Sequence, residues 1–178
     1  MPTPRGTLAW TAATERPDLL APPVAAVAAS VPGLLVAEID PGLADTAALC
    51  DAYDVDLAKS ANCVVVAARR AGVTTYAAVM VLATHRADIN GVVRRHLGAR
   101  KISFAPMEDA VSLTGMEFGG ITPVGLPDDW AVLVDDAVAE AGEVCIGSGV
   151  RRSKLVVEAA ALLALPHAER LALASHAG

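Results

Sequence analysis

The glycine-rich loop from Gly119 to Pro123 is the segment of this chain best suited to binding a ligand through its backbone. The adjacent glycines, Gly119 and Gly120, permit close approaches and backbone conformations that a side chain would forbid, and Pro123 stiffens the exit. Such a loop can simply turn a corner, or it can offer bare N–H and C=O groups to a ligand. The residues of the loop leave both interpretations open.

One lysine, Lys59, stands alone at the entry to the apolar run Asn62 to Val66. It follows Leu57 and Ala58 rather than other charges. An isolated cation beside a core strand either extends its ammonium to solvent or holds a charge in a site. Taken by itself, the pattern favours a structural role.

A second glycine-rich turn, Gly147-Ser148-Gly149, follows an apolar strand and leads into Arg151-Arg152-Ser153-Lys154. A phosphate-binding P-loop would need glycine directly before Lys-Ser or Lys-Thr. A dinucleotide fingerprint would need a third glycine where Arg152 stands, followed by a helix. Both are excluded by spacing, and a tight turn whose N–H groups could face an anion is the better interpretation.

Metal and nucleophile chemistry find no support in the pattern of residue types. The sequence has no Gly-x-Ser-x-Gly elbow and no Cys-x-x-Cys pair, and its three cysteines lie far apart, as expected for reduced thiols in a cytosolic protein. The histidines have no partner at ligand spacing. They are His85, His96, His167 and His176. We therefore expect neither a metal centre nor a cofactor.

Composition predicts one cytoplasmic domain. The chain has 178 residues, 54% of them apolar, which suffices for one core. Its net charge of −6 argues against binding nucleic acid through overall charge, although local basic islands occur at Arg94-Arg95 and Arg151-Arg152. No secretory signal and no apolar stretch near the ~18 residues of a membrane span is visible.

Apolar periodicity predicts a mixed α/β fold in which strands slightly outnumber helices. We expect an irregular lead-in over residues 1 to 16 and a single domain over 17 to 178. A hairpin of two strands, Asn62 to Ala68 and Thr74 to Leu82, is the clearest signal. Further strands are predicted at 34–39, 101–104, 130–134, 143–146 and 154–157. Helices are predicted at 18–30, 44–53, 88–97 and 106–113, as a short acidic helix after residue 134, and in the leucine-rich C-terminal segment containing Leu162 to Leu173. This pattern indicates a mixed sheet or half-open barrel with helices outside.

Several motifs, taken in order, resemble the YbaK family, which includes the editing domain of bacterial prolyl-tRNA synthetases and free-standing relatives. The resemblance spans roughly residues 25 to 165. Its most specific part is the string Thr114-Gly-x-x-x-Gly-Gly-x-x-Pro-x-Gly-Leu126. Other parts are Lys59-Ser60, Asp88-Ile89-Asn90-Gly91-Val92, Leu97 to Lys101 and Val132 to Asp135.

The resemblance implies a mostly antiparallel, barrel-like sheet flanked by helices and a metal-independent hydrolysis of the ester in mischarged aminoacyl-tRNA. Lys59 and Gly119 match the catalytic positions of the family. The role implied for Lys59 is electrostatic: it neutralises a phosphate of the terminal nucleotide or polarises the ester. The substrate-binding residues implied are Ser60, Asn90, Gly120, Ile121, Thr122, Pro123, Gly147, Ser148 and Gly149. Arg94, Arg95, Arg151 and Arg152 are candidate contacts to the acceptor end of tRNA. An aminoacyl-tRNA synthetase is a further candidate partner.

Two features depart from the family pattern. Ser60 stands where many relatives carry threonine, which keeps the hydroxyl. The stretch Gly147 to Lys154 resembles a Gly-Ser-rich branch rather than the branch with Gly-x-Arg-Gly and an acidic residue, so the substrate stays open among Ala, Ser, Cys and Pro esters. A non-catalytic tRNA- or synthetase-binding module and a hydrolase for small esters remain the alternatives.

Overall fold

The computed structural model describes residues 1 to 177 and shows a mixed α/β architecture. The strands, in chain order, are β1 (Thr11–Ala12), β2 (Leu35–Glu38), β3 (Ala61–Arg70), β4 (Val73–Leu82), β5 (His85–Ala87), β6 (Lys101–Phe104), β7 (Ala131–Asp135), β8 (Glu143–Gly147), β9 (Ser153–Glu158), β10 (Ala168–Leu171) and β11 (Ala174–His176). The α-helices are α1 (Pro22–Val27), α2 (Thr46–Tyr53), α3 (Arg94–His96), α4 (Met107–Thr114), α5 (Asp136–Ala139) and α6 (Ala159–Leu163). A π-helical segment, Ile89–Val93, precedes α3, and 3-10 turns lie at Ala13–Glu15, Pro17–Leu19, Ala28–Ser30, Pro41–Leu43 and Leu57–Lys59.

The described residues form two principal sheets that are joined by one backbone bridge. The first has the order β1-β2-β9-β8 and is antiparallel throughout, and the second has the order β10-β7-β4-β3-β6. In the second sheet β7 runs parallel to both β4 and β10, whereas β3 is antiparallel to its two neighbours. A parallel bridge between Ser60 and Cys145 joins the sheets. They do not close into a barrel, and the expected mixed, mostly antiparallel α/β fold is confirmed.

The β3–β4 hairpin forms the centre of the second sheet. Its ten residue pairs run from Ala61 with Leu82 to Arg70 with Val73, and the turn at Ala71 and Gly72 adopts positive φ at both residues. The largest core lies between the sheets and includes Met80, Val134 and Leu155, each with no exposed surface. Valine, alanine and leucine fill this core, as the low aromatic content requires.

Three segments differ from the periodicity-based expectation. The C-terminal segment forms α6 and then strands β10 and β11 rather than further helix, and Leu171 of β10 and Leu173, just before β11, pack on the hydrophobic cluster around Val66. The helix after Asp88 begins as a π-turn, with the Asp88 carboxylate accepting from the N–H groups of Gly91 and Val92. Within the predicted lead-in, β1 pairs with β2, and Ala13 is 1% exposed. In the part of the chain that the structure describes, no helix is long and apolar enough to cross a membrane.

Candidate active site

The candidate site lies beside the first part of β3, where one edge of this strand has no partner. On this edge β3 pairs with β6 from Val66 to Arg69, and Ser60, the residue before β3, forms a bridge to Cys145 of β8. Between these two contacts, at residues 61 to 64, no strand among the described residues pairs with this edge. A cavity of about 660 Å³ occupies the gap.

The open edge presents backbone hydrogen-bonding groups to the cavity. The C=O of Ser60 accepts from the Ala83 N–H at 2.8 Å on the β4 side, whereas the C=O of Val65 accepts from the Ala105 N–H at 2.9 Å on the opposite side. Backbone groups alternate between the two edges of an antiparallel strand. The N–H and C=O of Cys63 therefore point to the same edge as those of Val65 and are available to a bound molecule.

The walls of the cavity are mainly apolar and come from the start of α2, the end of β6, α4, the Gly119 loop and the β8–β9 hairpin. Helix α4 is held in place by Tyr76, which stacks on Trp130 and donates to the Asp109 carboxylate at 3.2 Å. Few polar side chains interrupt these walls. They belong to Asp45, Thr46, Asn62, Cys63, Arg151 and Lys154.

The Gly119 loop packs against the β8–β9 turn through backbone alone. Gly119 has a φ of +86°, and a Cβ placed there would lie 2.3 Å from Nη1 of Arg151. A Cβ on Gly120 would lie 2.8 Å from the backbone C and O of Val150, and the N–H of Gly149 donates to the Gly120 C=O at 2.7 Å. Glycine is thus required at 119 by conformation and at 120 by contact.

Lys154 brings a cation into the cavity. It lies on β9 directly opposite Gly147 of β8, and cross-strand neighbours share one face of a sheet. A Cβ on Gly147 would lie 2.6 and 2.8 Å from the carbonyl oxygens of Gly120 and Ile121. The absence of a side chain at Gly147 therefore lets the Gly119 loop pack on the sheet beside Lys154, and both the loop and Lys154 line the cavity.

The ammonium of Lys154 forms no ion pair with a carboxylate among the described residues, although the Asp45 carboxylate of the same cavity acts on its charge without direct contact. The residue is 7% exposed. Burial lowers the pKa of its ammonium below the ordinary lysine value. An unpaired buried cation is costly unless an anion or developing negative charge joins it, so Lys154 is suited to stabilise such charge.

Cys63 is the thiol that lines the cavity, and its protonation state limits its chemistry. Burial raises the pKa of the Cys63 thiol to about 12. Because the thiolate is the nucleophilic form, this cysteine is a neutral, apolar wall residue at physiological pH. Among the described residues no group of three His, Cys, Asp or Glu side chains is arranged to hold a metal ion.

Comparison with known proteins identifies the fold and the family. The model of the aminoacyl-tRNA editing domain family matches residues 40 to 165. The chain belongs to this family. No curated protein matches the sequence significantly. The matched range includes both glycine-rich turns and all the polar residues that line the cavity.

Solved structures share the editing-domain fold at low sequence identity. One described as a candidate trans-editing enzyme for prolyl tRNA synthetase has a TM-score of 0.73 at 22% identity, covering 89% of this chain and 99% of that one. A scaffold protein from computational epitope grafting gives 0.75 at 21% identity, covering 89% and 97%. The hypothetical protein APE2540 gives 0.73 at 19% identity, covering 84% and 96%.

The structure does not bring Lys59 into the cavity of this editing domain. Its ammonium donates to the backbone C=O of Ala141, just before β8, whereas the cavity lies at Gly147, at the other end of the same strand. Ser60 is buried and donates to the Asp56 C=O at 3.0 Å. The position of Lys59 therefore gives no support to its predicted catalytic role, which stays a prediction that mutation can test.

Four predicted site residues line the cavity: Gly119, predicted to be catalytic, Ile121 and Gly147, predicted to bind substrate, and Arg151, predicted to contact tRNA. Arg151 also links the segments around Pro41 and Phe118, since its guanidinium donates to the Pro41 C=O at 3.2 Å and to the Phe118 C=O at 3.5 Å. Ser148 is fully buried, and its hydroxyl donates to backbone carbonyls of Val150 and Ser153 inside the turn. Gly120, Pro123 and Gly149 are also buried and support the wall from behind.

The remaining predicted residues lie outside the cavity. Asn90 and Arg94 line a second cavity, whereas Arg95 is exposed on α3 and lines neither. Arg152 is exposed and donates to the backbone C=O of Asp18. These positions separate the predicted tRNA contacts into distinct surfaces.

Thr122 is predicted to bind substrate, but its side chain is 0% exposed and its hydroxyl has no hydrogen-bond partner among the described residues. A buried, unsatisfied hydroxyl destabilises the fold. We expect Thr122→Val to raise the free energy of unfolding by about 0.5 to 1 kcal/mol and to leave the reaction rate unchanged. Denaturant unfolding and a deacylation assay measure the two effects. A rate loss above about 10-fold would show that the hydroxyl serves substrate.

Sequence reasoning missed Lys154, Asn62 and Thr46 as site residues. Lys154 directly precedes the apolar run Leu155 to Val157, but it also follows Arg151 and Arg152 closely, so it was interpreted as part of a basic island. Asn62 and Thr46 carried no signal, since the hydrogen bond of 2.8 Å between their side chains joins positions sixteen residues apart.

Proposed function

We propose that this protein is a trans-acting, metal-independent deacylase that hydrolyses the ester between an amino acid and the terminal ribose of mischarged tRNA. Membership of the editing-domain family supports the reaction class. The observation that carries the proposal is the unpaired cation Lys154 in a cavity with an open strand edge. Proposed partners are the tRNA acceptor end and a synthetase that delivers it.

The reaction needs placement and charge stabilisation more than a strong nucleophile, because an aminoacyl ester is already labile. Water adds to the ester carbonyl carbon, the carbon–oxygen bond to ribose breaks, and the ribose oxygen leaves with a proton. In our proposal the Lys154 ammonium stabilises the oxyanion of the tetrahedral intermediate. The backbone groups of Cys63 and the Gly119 loop hold the aminoacyl group and position the water.

This assignment transfers the electrostatic role predicted for Lys59 to Lys154. Both residues are cations next to a core strand, but Lys154 lines the cavity and Lys59 does not. The apolar walls of the cavity accommodate a small aliphatic side chain better than a charged one.

The pH dependence of the reaction tests the proposed charge on Lys154. The ammonium is present below its pKa and is lost as pH rises through it, so activity should be full below this pKa and decline as pH rises through it. Since burial lowers this pKa, the decline should be centred below the ordinary value of about 10.4. Lys154→Arg, whose guanidinium stays charged, should remove the decline.

The measurement is the deacylation rate between pH 6 and 10, with the spontaneous hydrolysis rate subtracted at each pH. A wild-type rate that shows no decline on approaching the ordinary lysine pKa of about 10.4, or an alkaline decline that survives in Lys154→Arg, would rule out the ammonium as the charge that the reaction needs.

A panel of mischarged tRNAs and matching free aminoacyl esters separates the three functional classes. Hydrolysis of at least one aminoacyl-tRNA supports the deacylase. Hydrolysis of free esters alone would favour the small-ester hydrolase, and tRNA binding without turnover would favour a binding module.

A further inference from the structure

Two exposed phenyl rings, those of Phe104 and Phe118, lie at the mouth of the cavity and form what we call the aromatic rim. The chain has two phenylalanines, Phe104 and Phe118, and both line the cavity with large exposed fractions of 66% and 53%. Met107, also in the lining, is 56% exposed. In a protein with so few aromatic residues, leaving both phenyl rings in solvent at one opening marks a binding surface rather than a packing requirement.

A cationic cavity adjoins this rim along the same pair of strands. It has a volume of about 520 Å³ and contains Arg69, Arg94, Arg100 and Lys101, with Asn90 and Ser103. No carboxylate is among the described residues that line it. Four cations gathered without an acid in a chain of net charge −6 form a local anion site.

Strand β6 connects the two features. Lys101 and Ser103 line the cationic cavity, and the next residue, Phe104, lines the candidate active site. The four residues of β6 span about 10 Å, at ~3.3 Å per residue. On β3, Ala67 and Arg69, the partners of Ser103 and Lys101, also line the cationic cavity, and Val65, whose C=O accepts from the Ala105 N–H just after β6, lines the other.

We infer that the aromatic rim and the cationic cavity together form a surface that binds the unpaired 3′ end of an RNA. Aromatic faces that stack bases, next to cations that neutralise phosphates, are the combination by which proteins hold single-stranded nucleic acid. An apolar protein partner would use the rim but leave the four cations unmatched. The inference rests on the proposed function, because an end bound here brings the terminal ribose to the ester site.

The test measures binding of uncharged RNA and so does not depend on catalysis. The probes are a fluorescent RNA hairpin with a four-nucleotide single-stranded 3′ end and the same hairpin with a blunt end. Wild-type protein should bind the first at least 10-fold more tightly. Phe104→Ala and Phe118→Ala should each weaken this binding about 10-fold and leave blunt-end binding unchanged. Phe104→Leu, which keeps an apolar side chain, should behave like Phe104→Ala.

Charge variants test the second part of the surface. The double variant Arg94→Glu with Arg100→Glu should weaken binding of the single-stranded end at least 10-fold and reduce the slope of log affinity against log salt by about 1.4. Matched controls lie outside both cavities. Arg86→Glu makes one such Arg-to-Glu change, half the charge change of the double variant, at an exposed position on β5, and Val73→Ala removes an exposed apolar side chain (61% exposed) at the start of β4. Both controls should bind like wild type.

Equal binding of the two hairpins, or unchanged binding by the phenylalanine variants, would overturn the inference. Competition by polyglutamate but not by single-stranded RNA would likewise overturn it, in favour of an acidic protein partner. If the binding pattern holds but no aminoacyl-tRNA is hydrolysed, the inference stands and the proposed deacylase activity fails.

Discussion

Replacing Lys154 with methionine should lower the rate of aminoacyl-tRNA deacylation about 100-fold and at the same time stabilise the protein. Methionine has a similar length but no charge, so it removes the group proposed to stabilise the oxyanion. Loss of one such group typically costs about 100- to 1,000-fold in rate. Stability should rise by about 1 kcal/mol, because the fold no longer buries a cation without a carboxylate partner. Single-turnover deacylation and denaturant unfolding provide the two measurements.

Lys59→Ala is the matched control for this experiment. Lys59 is also a lysine beside a core strand, but its ammonium donates to Ala141 outside the cavity. We expect its loss to change the rate less than about 3-fold, an effect confined to the local contact. A large rate loss in Lys59→Ala together with a normal rate in Lys154→Met would reverse the assignment and restore the role implied by family resemblance.

Replacing Gly119 with alanine should reduce deacylation about 100-fold while lowering stability by only about 1 kcal/mol. The added Cβ would lie 2.3 Å from Nη1 of Arg151, so the guanidinium must move away from the loop. Displacing a cavity wall by about 1 Å is enough to cost this much in rate. The stability cost is small, because a flexible side chain can yield and only the strain of a φ of +86° remains.

Alanine substitutions at two other glycines distinguish the effect of backbone strain from the effect of displacing a neighbouring group. Gly72 has a φ of +78°, and a Cβ added there would have no atom within 4 Å, so Gly72→Ala should cost the same stability and no activity. Gly120→Ala meets the rigid backbone of Val150 and should cost about 2 to 3 kcal/mol. If Gly119→Ala and Gly72→Ala had equal activity, the loop would not be part of the site.

The sheet framework was predictable because its signals are local. The β3–β4 hairpin and strands β7 to β9 all follow from short apolar runs bounded by turn residues, and the structure confirms them. Strands β10 and β11 were missed, although Leu171 and Leu173 are two residues apart, which is the period of a strand. The alanine- and leucine-rich composition of the segment favours a helix and led to the wrong prediction. The conformation of the two strands is decided by pairing with β7 and β5, which are distant in the sequence.

The glycine-rich turns of the candidate site could be predicted from the sequence, but the lysine that faces the cavity could not. Gly119 and Gly147 could be identified because a glycine pair and a Gly-Ser-Gly turn are visible in sequence. Whether Lys59 or Lys154 faces the cavity depends on the direction of each side chain, which is set by packing and by the residue opposite. Lys154 lies opposite Gly147, where the Gly119 loop packs on the sheet, and that cross-strand relation cannot be read from spacing.

The central claim is that the cavity at Lys154 hydrolyses the ester of mischarged tRNA. Its most direct test is single-turnover hydrolysis of Ala-, Ser-, Cys- and Pro-charged tRNAs by the wild-type protein and by Lys154→Met at neutral pH. We predict that at least one charged tRNA is deacylated well above its spontaneous rate by wild type, and about 100-fold more slowly by the variant. Spontaneous rates for every charged tRNA, or equal rates for the two proteins, would contradict it.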